Sequence, residues 1–161
     1  MKLALLASGL LLSLLAAGCG AQKPAESAAA PAASGPRVIE ITANDTMKYN
    51  QTAITAKPGE DLQVVLTNIG SAPVEVMGHN WTLLKAGVDA NSFAQAASTH
   101  KDTGYMPPER KGDVLAHIDL LGPRKSGEAT FKAPTAPGDY TYLCTFPAHY
   151  LAGMRGVLTV K

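Results

Sequence analysis

Residues 144 to 154 read Cys144-Thr145-Phe146-Pro147-Ala148-His149-Tyr150-Leu151-Ala152-Gly153-Met154. A thiol, an imidazole and a thioether recur here with four residues between each. Pro147 and Gly153 disfavour a helix, so the segment reads as a loop between the strand ending near Cys144 and the run Gly156 to Val160. Sulfur and nitrogen donors of this softness suit copper, and a Cys, a Met and two His is a set that binds it with one long axial bond. The chain offers a second imidazole in Met77-Gly78-His79-Asn80-Trp81, at the end of an earlier extended run.

Each of these residues also has a plain structural reading. A Cys, His and Met within eleven residues can be loop packing plus a surface imidazole, and a lone His79 is more often a satisfied core or edge residue. His117 alternates with the inward Ala116 and Ile118 and is expected to face solvent beside Asp119. His100 lies in a polar crossover, and neither it nor His117 is assigned a metal. Met47, Met77 and Met106 read first as core filler.

Outward from the loop, the chain from Arg37 onward is a series of short strands separated by turns. Val38 to Ile41 opens it, and Leu62, Val64 and Leu66 alternate on one face after the turn Lys57 to Asp61. Val74 to Trp81 reads as extended, Val114 to Leu120 has period two, and Tyr140, Tyr142 and Cys144 share a face. Seven or eight strands at this spacing predict an antiparallel all-β sandwich with Greek-key connections. Ala90 to Ser98 is Ala-rich, so the stretch Thr82 to Lys111 is expected to be a long crossover carrying a short helix.

Upstream, Lys2 precedes the apolar run Leu3 to Ala17, which ends at Gly18-Cys19. This is the layout of an export signal, and the run is shorter than the roughly 20 residues a spanning helix needs. Residues 1–18 thus read as a signal peptide that resembles those of bacterial lipoproteins, with Cys19 as the acylated residue. Residues 19–36 are rich in Ala, Pro and Ser, with no large apolar residue, and read as a disordered tether that holds a single domain, 37–161, off a membrane. Localisation is then outside the cytoplasm, in the periplasm or at the cell exterior. The chain's formal charge of +1 disappears with Lys2, leaving no basic surplus to attract nucleic acid. With Cys19 lipidated, Cys144 is an unpaired thiol in an oxidising compartment, which a bound metal would explain; a buried inert thiol or a Cys19–Cys144 disulfide are the alternatives.

The blocks Met77 to Trp81 and Cys144 to His149 with a downstream Met resemble the cupredoxins, the type 1 blue-copper family, and in particular azurin and auracyanin. Similar blocks occur at Asn44 to Asn50, Ala53 to Thr55, Val114 to His117 and Met154 to Lys161. The resemblance implies an eight-stranded Greek-key sandwich, one type 1 copper and a role as an electron carrier rather than an enzyme. It implies that His79, Cys144 and His149 are equatorial ligands, Met154 the weak axial one, and the Gly78 carbonyl a distant partner opposite it. Asn80 would join the two ligand segments, and amides near Asn80 and Phe146 would point at the Cys144 sulfur. Met47, Met77, Phe146, Pro147, Ala148 and Leu151 would form an apolar docking patch around His149 for redox partners such as cytochromes or a copper or haem oxidoreductase, the carrier itself being a monomer. Four residues separate His149 from Met154, as in auracyanin, where azurin has three; Ala148 stands where azurin has Gly.

Two other classes use the same residues. A copper storage or delivery protein would need the ligands without electron transfer. A thiol enzyme would use Cys144 as nucleophile and His149 as base, but it lacks an orienting carboxylate and leaves His79 and Met154 unexplained.

Overall fold

The computed structural model describes residues 35–161, and the signal peptide, Cys19 and nearly all of the tether lie outside them. Among the described residues the strands are β1 (Arg37–Asn44), β2 (Lys48–Tyr49), β3 (Ala53–Ala56), β4 (Asp61–Asn68), β5 (His79–Leu84), β6 (Val114–Leu121), β7 (Ser126–Lys132), β8 (Gly138–Leu143) and β9 (Arg155–Val160). Eight are of four residues or more; β2 is a two-residue bridge. They form two packed sheets, ordered β2-β1-β4-β7 and β3-β9-β8-β5-β6. The expected sandwich is present.

Its pairing is mixed rather than antiparallel throughout. β1 runs parallel to β4, and β3 runs parallel to β9. The cause is that β3, between β1 and β4 in the chain, joins the other sheet, so β4 returns beside β1 in the same direction.

Alternation sets the core. Ile39, Ile41 and Ala43 of β1, and Leu62, Val64 and Leu66 of β4, are buried against Trp81, Tyr140, Tyr142, Leu158 and Val160 of the facing sheet. Trp81 lies at the centre, with its ring centroid 5.6 Å from that of Tyr142 and 5.9 Å from that of Phe131. β5 breaks the alternation, because all six of its residues are buried. Its second face is covered by the crossover, where Leu84 and Leu143 pack with Phe93 and Met106. That crossover carries the expected helix, Ala90–Ala97, opened by Asp89, whose side chain accepts from the Ser92 amide at 2.7 Å.

One expected strand is different. Val74–Met77 is a single helical turn, α1, and extended structure begins only at His79. The Pro73 carbonyl accepts from the amides of Val76 and Met77, and the Val74 carbonyl from that of Gly78. The alternation of Val74, Glu75 and Val76 imitates a strand, but Val76 is exposed, and Pro73 sets the turn.

Candidate metal centre

Two segments meet at one end of the sandwich: the start of β5, and the loop between β8 and β9. The loop closes on itself. The Cys144 amide donates to the Met154 carbonyl at 3.1 Å, and the Met154 amide donates to the His149 carbonyl at 2.9 Å. Inside, the His149 amide reaches the Phe146 carbonyl at 3.1 Å, and Ala148 and Gly153 take positive φ values of 68° and 93°. These contacts turn Cys144, His149 and Met154 inward together.

The donor atoms of His79, Cys144 and His149 all lie within 4.8 Å of one another. Cys144 Sγ is 3.4 Å from His149 Nδ1, and the two imidazole centroids are 5.0 Å apart. All three residues are buried, and so is Met154, which packs in the same cluster as Cys144. His79 lies beside the Asn44 carbonyl, but neither ring nitrogen makes a full hydrogen bond. A buried imidazole without partners is costly, and a cation bound among these donors removes the cost. Two imidazoles, a thiol and an adjacent thioether, buried and mutually close, fit copper.

The surroundings hold the donors in place. Asn80 and Thr145 link the two segments: the Thr145 amide donates to Asn80 Oδ1 at 2.8 Å, and Asn80 Nδ2 donates to Thr145 Oγ1. Phe146 packs its ring 4.6 Å from that of His149 and edge-on to Tyr105 at 4.9 Å.

Burial controls the protonation of the metal-free site. It pushes the Cys144 thiol up to about 12, opposed by the backbone amides of Asn80 and Phe146, which donate toward the sulfur. It pushes His149 down to about 4, helped by the neighbouring His79. His79 is lowered by the same desolvation, while the Asn44 carbonyl facing the ring and the Asp45 carboxylate work the other way. The free site therefore holds a neutral thiol and neutral imidazoles, and metal binding must displace the thiol proton.

His117 and His100 stand apart, as their positions in the sequence suggested. His117 is exposed, with Nε2 3.5 Å from Asp119 Oδ1, and His100 faces Glu109 at 3.4 Å. Of the apolar collar, Ala148 and Leu151 are exposed, Pro147, Met47 and Met77 are partly buried, and Phe146 is buried as backing for His149. Gly78 is buried, with a Cβ excluded by the Val74 carbonyl and the Leu120 side chain. Reading the sequence did not single out Thr145, Lys48 or Tyr49, because their importance lies in distant partners. Thr145 is the one with a local signal, since it immediately follows Cys144.

Residues 37–161 match the family of copper binding proteins described as the plastocyanin/azurin family. Auracyanin-B of Chloroflexus aurantiacus is 36% identical over 126 residues, covering 77% of this chain and 52% of the relative, so the chain spans about half of that protein's length. Azurin of Pseudomonas aeruginosa is 35% identical over 126 residues, covering 76% of this chain and 84% of azurin. Among solved structures, the dithionite-reduced auracyanin of Roseiflexus castenholzii superposes with a TM-score of 0.70 at 34% identity, covering 79% of this chain and 98% of that one.

Proposed function

Because this chain belongs to the plastocyanin/azurin family of copper-binding proteins, we propose that it carries single electrons between redox proteins, with His79, Cys144, His149 and Met154 as its copper ligands. Copper supplies the one-electron Cu(II)/Cu(I) couple. The observation that carries the reading is the buried convergence of three donor residues.

The protein's own part is to hold the donors still. His79 is fixed at the start of a fully buried strand, and the other three residues sit on one self-bonded loop. The Asn80–Thr145 link ties the two segments, so little has to move when the charge on the site changes. The amides of Asn80 and Phe146 draw negative charge off the Cys144 sulfur, which favours the reduced state. Four protein donors leave no evident position for a substrate, which supports a carrier over an enzyme. His149 is the electron port, and Ala148 and Leu151 are exposed, with Met47, Met77, Phe146 and Pro147 completing the surface against which a cytochrome or a copper or haem oxidoreductase docks briefly. Such weak redox encounters bury less than about 1,200 Å².

We further infer that the protein is exported and tethered by lipid on Cys19.

The test is the visible spectrum of purified protein given copper(II). An intense, reversible blue band that Cys144→Ser abolishes supports the carrier; copper that is taken up without a blue band and lost quickly to chelators points to storage or delivery. Cys19→Ser should release the protein from membranes, and continued membrane association would reject the lipid anchor.

A further inference from the structure

The two-residue strand β2 touches both ligand-bearing segments. Tyr49 is buried, and its hydroxyl donates to the backbone carbonyl of Asn80. Asn80 sits where the β5–β6 register shifts between His79 and Trp81, outside the regular pairing. A carbonyl at such an irregularity needs a partner from elsewhere, and Tyr49 supplies it one residue from His79. Lys48, next in the chain and pointing the other way, is exposed; its ammonium donates to the Ala152 carbonyl, within the span between His149 and Met154. Gly153 is shaped by that contact: a Cβ there would lie 2.6 Å from Lys48 Nζ, in a backbone with φ of 93° that already disfavours side chains. β2 is itself anchored, pairing Tyr49 with Ala43 and Lys48 with Asn44 of β1.

We propose that Lys48 and Tyr49 are positioning residues that brace the metal centre from opposite faces of one strand, Tyr49 holding the His79 segment and Lys48 the segment that ends in Met154. The two contacts join stretches of chain that are remote in sequence to one fixed point, β1. A site braced in this way keeps its donors in place without the metal and gives the metal up slowly once bound. The proposal rests on the copper reading above.

The experiment compares wild type with Tyr49→Phe, Lys48→Met and Lys48→Arg. Each protein is loaded with copper(II) and its loss to a chelator is timed. The metal-free forms are followed by amide hydrogen exchange at Cys144 and Met154. Tyr49→Phe and Lys48→Met should each speed copper loss roughly tenfold, the scale of one charge-assisted or buried hydrogen bond. Lys48→Met should also speed Met154 exchange in the metal-free protein, and Lys48→Arg should restore both. Copper loss and exchange within about twofold of wild type in Lys48→Met and Tyr49→Phe would overturn the brace, even if urea stability fell. Should Tyr49→Phe not fold, the exposed Lys48 pair decides alone. A wild type that never turns blue would reject the copper reading instead, while the exchange measurement would still test the brace.

Discussion

Asn80 and Thr145 are hydrogen-bonded to each other twice, through Thr145 N to Asn80 Oδ1 at 2.8 Å and Asn80 Nδ2 to Thr145 Oγ1, across 65 residues of sequence. Both are buried. Asn80→Ala removes both bonds and leaves the Thr145 amide buried without a partner, so it should cost about 3 kcal/mol. Thr145→Val removes only the side-chain bond and should cost less than half as much. Urea unfolding of the metal-free proteins measures both, and equal losses would mean that the pair does not act as a two-bond clamp.

The metal-free protein should weaken in acid over a defined window. Burial holds the folded-state pKa of His149 at about 4, below the ordinary 6.5, and lowers His79 as well. Between those values the unfolded chain binds protons that the folded chain refuses, so stability present above pH 6.5 is lost as the pH falls toward 4. Copper occupies the same ring nitrogens and should move the loss to lower pH. Urea midpoints measured across the window with and without copper check this; parallel curves for the two forms would show that these imidazoles are not what titrates.

The three donors of the 144–154 loop and the crossover helix were legible in the sequence because each depends on residues close together in the chain, whereas His79 comes from a distant strand. Cys144, His149 and Met154 share one loop, and Ala90–Ala97 announces itself by its Ala-rich composition. What could not be read depends on partners far away. Lys48 meets Ala152 across 104 residues and Tyr49 meets Asn80 across 31. The parallel pairs β1–β4 and β3–β9 follow from which sheet each strand joins, a choice with no local signature. At Val74 to Met77 the alternation of apolar and polar residues pointed the wrong way, since a single turn closed on the Pro73 carbonyl presents the same local pattern as a strand.

Gly78 is required for space, not for an unusual backbone. Its φ of −66° and ψ of 148° are open to any residue. A Cβ, however, would lie 2.8 Å from the Val74 carbonyl and 2.9 Å from Leu120 Cδ1. Gly78→Ala should therefore push α1 away from β5, cost about 1–3 kcal/mol as overpacking does, and shift the Gly78 carbonyl that is proposed to face the metal. The copper-loaded spectrum should change with it. Gly112→Ala, where a Cβ meets nothing within 4 Å, serves as the control. A Gly78→Ala protein with wild-type stability and spectrum would show that α1 yields freely.

Met154 is fully buried and bonded through its backbone to both Cys144 and His149, so its place in the loop does not depend on its side chain. Met154→Leu nearly conserves volume and should change stability by less than about 1.5 kcal/mol. The three equatorial donors stay, and with them the blue band. What disappears is a thioether that stabilises Cu(II) more than Cu(I), so the reduction potential should rise. Voltammetry of the loaded variant measures this directly. A potential that stayed put or fell would mean that the Met154 sulfur does not contribute to the metal's electronic balance.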